Sequence, residues 1–145
     1  MQLRRIEPRT ETRNPQSNLP VALTMAERDL LNHLRMTALR CRSAARADLF
    51  EACALLSTDR NRARNAHADA LMRCIGSALN TRPIFFRPGE AEISFDERWL
   101  VSLARAHATK DEASFTFLMA SRVDKWAIRN LGFLIRRITD TFSLD

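Results

Sequence analysis

Apolar residues recur along this chain with the period of an α-helix, and no stretch shows the alternation typical of a half-buried strand. One stripe, continuous in phase at 100° per residue, comprises Leu30, Leu34, Cys41, Ala45, Leu49, Ala52 and Leu56. Two later faces comprise Leu71, Cys74, Ile75 and Ala78, and then Ala127, Leu131, Leu134, Ile135 and Ile138. The pattern predicts an all-α protein.

Three segments carry the residues of a helix-start capping box. Residues 24–27, 94–97 and 109–112 each place a Ser or Thr three positions before a Glu. In such a box the hydroxyl accepts a hydrogen bond from the backbone N–H three residues on, and the Glu side chain accepts one from the cap N–H. The sequence therefore predicts helices that begin near Met25, Phe95 and Lys110.

The elements predicted between these starts are four to six helices. The unbroken phase of the first stripe favours one long helix over residues 25–57, although Ser43 could cap a second one. Further helices are predicted over 59–80, after Ser94, after Thr109 and over 125–142, the last capped by Asp124; residues 81–93, with two prolines and a glycine, are predicted as a loop. The helix after Thr109 is apolar on most sides, which predicts that it is the central element of the bundle.

The fold prediction is thus a single-domain helical bundle over residues 23–145, preceded by a flexible, disordered basic arm over residues 1–22. The arm holds three of the five prolines and has no apolar period. At 145 residues and 46% apolar content, the chain is long enough to bury one core. No apolar run is long enough to cross a bilayer, and no secretory signal is present, so a cytoplasmic protein without membrane contact is expected.

The final helix carries the most suggestive group of polar and aromatic residues. Opposite its apolar face, within about a third of the circumference, lie Trp126, Arg129, Asn130, Phe133 and Arg137, here called the Trp126 stripe. Two large aromatics interleaved with Arg suit a protein partner, a second copy of the chain in a homodimer, or stacked bases. The alternative is that the final helix is buried on two sides. The leading functional hypothesis is a small non-enzymatic adaptor or regulatory protein that binds another protein through this stripe.

A second candidate is the cluster Arg60, Arg62 and Arg64, in a chain whose net charge is +6. Cations in a first helical turn oppose the helix dipole, and Arg60 and Arg64 fall on the same side as the apolar face. The cluster could bind phosphates, which gives a second hypothesis: a nucleic-acid-binding regulator that uses the basic arm and this cluster. Alternatively, the arginines pair internally with Asp48, Glu51 or Asp59.

The sequence shows no catalytic motif, phosphate-binding Gly-rich loop or metal-ligand spacing, so no catalytic residue, metal, cofactor or small-molecule substrate is predicted. Cys41, Cys53 and Cys74 are widely spaced and are expected to be buried free thiols. His33, His67 and His107 are expected to be core or interface histidines. Residues 111–138 resemble a helix-turn-helix only weakly, because no glycine marks the turn and Leu118 stands where a small residue is usual, which counts against that mode of DNA binding.

Overall fold

The computed structural model describes residues 22–43 and 60–144, and within them the chain is all-helical, with no strand. The described helices are α1 (Met25–Ser43), α2 (Arg60–Leu79), α3 (Phe95–Ala108), α4 (Glu112–Arg122) and α5 (Lys125–Asp140). The all-α prediction is confirmed. Residues 1–21 of the predicted arm over residues 1–22, the second half of the predicted long helix and Cys53 lie outside the described residues.

The helices pack around one core, in which α5 packs most extensively on α2. α1 packs on α2 and α3, and α3 also packs on α4 and α5. The two predicted apolar faces on α2 and α5 point into this core. Its buried members include Leu71, Ile75, Ala78, Ala127, Leu131, Leu134, Ile135 and Ile138. The helical spacing of apolar residues therefore identified the inward faces of both helices correctly.

Two of the three predicted capping boxes are present. At the start of α1, the Glu27 N–H donates to Thr24 Oγ1 at 3.1 Å, and the Thr24 N–H donates to Glu27 Oε1 at 3.0 Å. At the start of α3, the Glu97 N–H donates to Ser94 Oγ at 3.0 Å, and the Ser94 N–H donates to Glu97 Oε1 at 2.9 Å. Each box satisfies backbone donors that have no partner within the helix.

The third predicted box, at residues 109–112, is wrong. Thr109 ends α3 instead, and its hydroxyl donates back to the carbonyl of Arg105 at 2.9 Å. Asp111 caps α4, accepting from the Ser114 N–H at 3.1 Å. The connection between the two helices is too short for Thr109 to serve the second one: Lys110 already turns the chain with a left-handed φ of 60°.

The prediction that α4 is the central, most buried helix is also wrong. Only Phe115 and Met119 are buried on it, whereas Phe117 is 71% exposed. α4 is a short helix that contacts α3 and α5, and Phe117 lies on its outward side. The more fully buried helix is α3, on which Leu103 and Ala104 are essentially inaccessible.

The predicted loop between α2 and α3 is present, and a buried arginine holds it in place. Arg35 on α1 is 1% exposed and donates to three loop carbonyls: Arg87 at 3.2 Å, Glu90 at 2.9 Å and Glu92 at 2.8 Å. The same guanidinium forms two hydrogen bonds to the fully buried carboxylate of Glu97, at 2.9 and 3.0 Å. One side chain thus joins α1, the loop and the start of α3.

Within the described residues, no helix is long and apolar enough to cross a membrane.

Candidate functional site

The start of α5 is tied to the end of α2, and this contact fixes where the Trp126 stripe lies. The Asp124 N–H donates to the carbonyl of Ala78 at 3.1 Å, and the Asn80 side-chain amide donates to the Asp124 carboxylate at 2.7 Å. Asp124 occupies the predicted N-cap position, but its side chain does not cap the helix because it binds Asn80 instead. Only Val123 and Asp124 separate α4 from α5.

The Trp126 stripe faces outward along α5. Trp126 is 69% exposed and Phe133 is 51% exposed, and Arg129, Asn130 and Arg137 are exposed as well. The alternative, in which the final helix is buried on two sides, is therefore wrong. α5 buries one face in the core and presents two large aromatic side chains on the other.

Phe133 is the anchored member of the stripe. Its ring meets the ring of His67 on α2 edge to face, with centroids 5.9 Å apart. His67 is buried, and its Nδ1 lies 2.6 Å from the carbonyl oxygen of Ala63. Arg137 is close enough to help lower the pKa of His67, after the larger effect of burial. The stripe therefore continues onto the edge of α2.

Several arginines in the described part of the chain form ion pairs with carboxylates, and the arginines of the stripe are not among them. The ion pairs are Arg35–Glu97, Arg40–Asp69, Arg105–Glu27, Arg122–Asp96 and Arg136–Glu112. Within residues 22–43 and 60–144, neither Arg129 nor Arg137 forms an ion pair. Along the exposed side of α5, Arg129 thus lies between Trp126 and Phe133, and Arg137 follows Phe133 by one turn.

In the second candidate cluster, Arg60, Arg62 and Arg64, the described side chains do not form one surface with the Trp126 stripe. Arg64 is directed to the C-terminal end of α5, where it donates to the hydroxyl and the carbonyl of Thr141. Its guanidinium also lies over the ring of Phe142, 3.9 Å from the centroid. Arg62 is exposed, and the side chain of Arg60 lies outside the described part. The acidic partners predicted from the sequence lie outside it too.

The two described cysteines are free thiols with raised pKa values. Burial raises the pKa of the Cys74 thiol, and burial followed by the negative charge of Asp69 raises that of Cys41. Because the thiolate is the reactive form, both side chains are poor nucleophiles at neutral pH. Cys74 packs against the core as the sequence predicts.

Sequence patterning missed several exposed aromatic side chains. Phe95, the first residue of α3, and Phe117 on α4 are both exposed. The guanidinium of Arg122 lies 5.0 Å from the centre of the Phe95 ring and pairs with Asp96. Phe95 lies between Ser94 and Asp96 in the sequence, and only the packing of the helices shows that its ring faces outward.

Comparison with known proteins gives no relative for this chain: no family model, no curated protein and no solved structure matches it. The candidate site therefore stands on its geometry alone.

The two most enclosed histidines make the stability of the fold sensitive to acid. Burial lowers the pKa of both His33 and His67 below 6.5 and nearby arginines add to this, which outweighs the raising effects of the Ala63 carbonyl on His67 and of Asp69 on His33. The unfolded chain then binds more protons than the folded one below pH 6.5. We expect the free energy of unfolding to fall by up to about 1.4 kcal/mol per pH unit for each histidine as the pH drops through this range.

Urea denaturation at a series of values between about pH 8 and pH 5 measures this dependence. The double variant His33→Gln/His67→Gln should lose stability less steeply than the wild type over that interval. Equal slopes in the two proteins would show that these histidines do not cause the acid sensitivity.

Proposed function

We propose that this protein is a non-enzymatic binding module, an adaptor or regulatory protein that recognises another protein through the Trp126 stripe. The observation that carries the proposal is the exposure of Trp126 and Phe133 on a helix whose opposite face is fully buried. Exposed aromatic rings of this size keep apolar area in contact with water unless a partner covers them.

The composition of the stripe supports a protein interface. Trp, Phe and Arg are enriched in the centres of such interfaces, and Trp and Arg are the residues that most often dominate binding energy. The stripe also lies on a rigid helix that the core positions, so its side chains have a fixed arrangement before binding.

The test is the double variant Trp126→Ala/Phe133→Ala. Because both side chains are at least half exposed, we expect the free energy of unfolding to change by less than about 1 kcal/mol. Capture of partner proteins from a native lysate should fall by at least about tenfold, since truncation of a central aromatic costs about 2 kcal/mol or more. Photo-crosslinking from position 130, in the middle of the stripe, should give a discrete product that the double variant does not form.

Phe117→Ala supplies the matched control, because it removes an equally exposed aromatic from a different helix. It should leave both capture and crosslinking unchanged. An equal loss of capture in Phe117→Ala and in the double variant would mean that general surface hydrophobicity, and not this stripe, binds the partner.

The second candidate function is nucleic-acid binding, and the interleaving of aromatic rings with guanidinium groups favours it. Bases stack on exposed aromatic rings, and arginines bind phosphates. The salt dependence of binding distinguishes the two functions. Affinity for nucleic acid falls steeply as salt concentration rises, and a plot of log affinity against log salt concentration has a slope of about −0.9 per neutralised phosphate on duplex DNA. Capture that survives nuclease and moderate salt supports the protein partner.

A further inference from the structure

The outer side of α5 carries positive charge, and the one carboxylate of the helix is that of Asp140, its last residue. Between residues 125 and 139 the helix holds Lys125, Arg129, Arg136 and Arg137, and no Asp or Glu. Arg136 is neutralised by Glu112 across the contact with α4, at 3.2 Å. The positive charges that remain on the exposed side are those of the stripe itself and of Lys125 at the helix start, whereas the Asp140 carboxylate at the helix end lies 2.8 Å from His107 Nε2.

The spacing of these groups has the period of two helical turns. Trp126 and Phe133 are seven residues apart, which is about 10.5 Å along the helix axis, and Arg129 and Arg137 are eight residues apart, about 12 Å. A second helix packed along α5 presents its own side chains with nearly the same repeat. A helical ligand therefore matches the stripe if its apolar side chains and its anionic side chains each recur about every two turns.

Charge argues against a second copy of this chain as the ligand. A twofold interface pairs the same surface with itself, so it would bring the guanidinium groups of Arg129 and Arg137 from two copies together. Like charges facing each other across an interface cost several kcal/mol. The nucleic-acid alternative fits less well than a helix, because only two guanidinium groups of the stripe are available for phosphates.

Resting on the protein-binding role proposed above, we propose that the stripe binds an acidic amphipathic helix of the partner protein. The apolar side chains of that helix cover Trp126 and Phe133. Its Asp or Glu side chains, two turns apart, form bidentate ion pairs with Arg129 and Arg137. Asn130, between them, offers a side-chain amide that can donate to and accept from polar groups at the edge of the contact.

The probe is a phage-displayed library of helix-forming peptides about 14 residues long, or four turns. It is selected in parallel on the wild type, on Trp126→Ala/Phe133→Ala and on the charge-reversed variant Arg129→Glu/Arg137→Glu. We expect the wild type to enrich peptides with acidic residues about two turns apart beside an apolar stripe. The charge-reversed variant should enrich basic peptides instead, and the aromatic double variant should enrich neither. Synthetic peptides from the wild-type selection should bind the charge-reversed variant at least about tenfold more weakly.

Each other outcome overturns the proposal in a distinguishable way. If the selected peptides require Trp126 and Phe133 but contain no excess of acidic residues, the proposal of an acidic helix is contradicted and the protein-binding role is not. If peptides are enriched no more strongly on the wild type than on the aromatic double variant, both the acidic-helix proposal and the protein-binding role of the stripe are contradicted. A labelled oligothymidine that binds the wild type more tightly than the selected peptides, and displaces them, would assign the stripe to single-stranded nucleic acid.

Discussion

Replacing Glu97 with Gln is expected to lower the free energy of unfolding by about 3–5 kcal/mol, because it leaves the buried guanidinium of Arg35 without a counter-charge. Arg35 and Glu97 are both inaccessible to water, so solvent cannot compensate for the lost partner. The Glu97 carboxylate also accepts hydrogen bonds from the backbone N–H groups of Ser94 and Phe86, at 2.9 and 2.7 Å. Chemical denaturation in urea measures the change.

The control for Glu97→Gln is Glu112→Gln, which removes the charge from the exposed pair with Arg136. Exposed ion pairs contribute only about 0–1 kcal/mol, so this variant should unfold almost as the wild type does. Similar small losses in the two variants would contradict a structural role for the buried pair. Hydrogen exchange adds a second readout: the amides of residues 84–90 should lose protection in Glu97→Gln before the rest of the protein does.

The second large effect is expected from Phe115→Ala, which should destabilise the fold by about 3–5 kcal/mol. Phe115 is 2% exposed, and its ring packs in the core beneath the guanidinium of Arg136, whose carbon lies 4.1 Å from the ring centre. Truncation leaves a cavity that Gly132, with no side chain, cannot fill. The shift of the urea midpoint measures the loss.

Phe117→Ala is again the matched control, since it makes the same substitution two residues away on the same helix. With its ring 71% exposed, it should change stability by no more than about 0.5 kcal/mol. If the two substitutions cost the same, α4 would be buried on both sides, as its composition first indicated.

Short-range sequence patterns predicted those parts of the fold that depend on residues close together in the chain. The boxes at Thr24 and Ser94 involve partners three residues apart, and the apolar face of α5 repeats over a few turns, so both could be predicted from sequence. The Trp126 stripe was identified in the same way, as the side of α5 opposite the core. Its exposure could not be predicted, because that depends on which other helices pack against α5.

Contacts between distant residues account for what the sequence did not show. Arg35 and Glu97 are separated by 62 positions, and no local pattern distinguishes Arg35 from the arginines that lie on the surface. Arg64 donates to the hydroxyl and the carbonyl of Thr141, 77 positions away, and no local pattern indicates these acceptors. In both cases the partner is chosen by helix packing, which composition and periodicity do not specify.

The hydrogen bond from Asp124 to Ala78 has a consequence for the rate at which the proposed partner would associate. Trp126 follows this contact by two residues, so the backbone that carries the ring is already ordered in the unbound protein. A flexible segment would lose conformational entropy on capture, at a cost of about 0.5–1.5 kcal/mol for each side chain that becomes fixed. Here most of that ordering occurs when the protein folds. The proposed partner should then associate at about 10⁵–10⁷ M⁻¹s⁻¹, the range typical of docking between preformed surfaces, and differences in affinity among variants should appear mainly in how long each complex lasts.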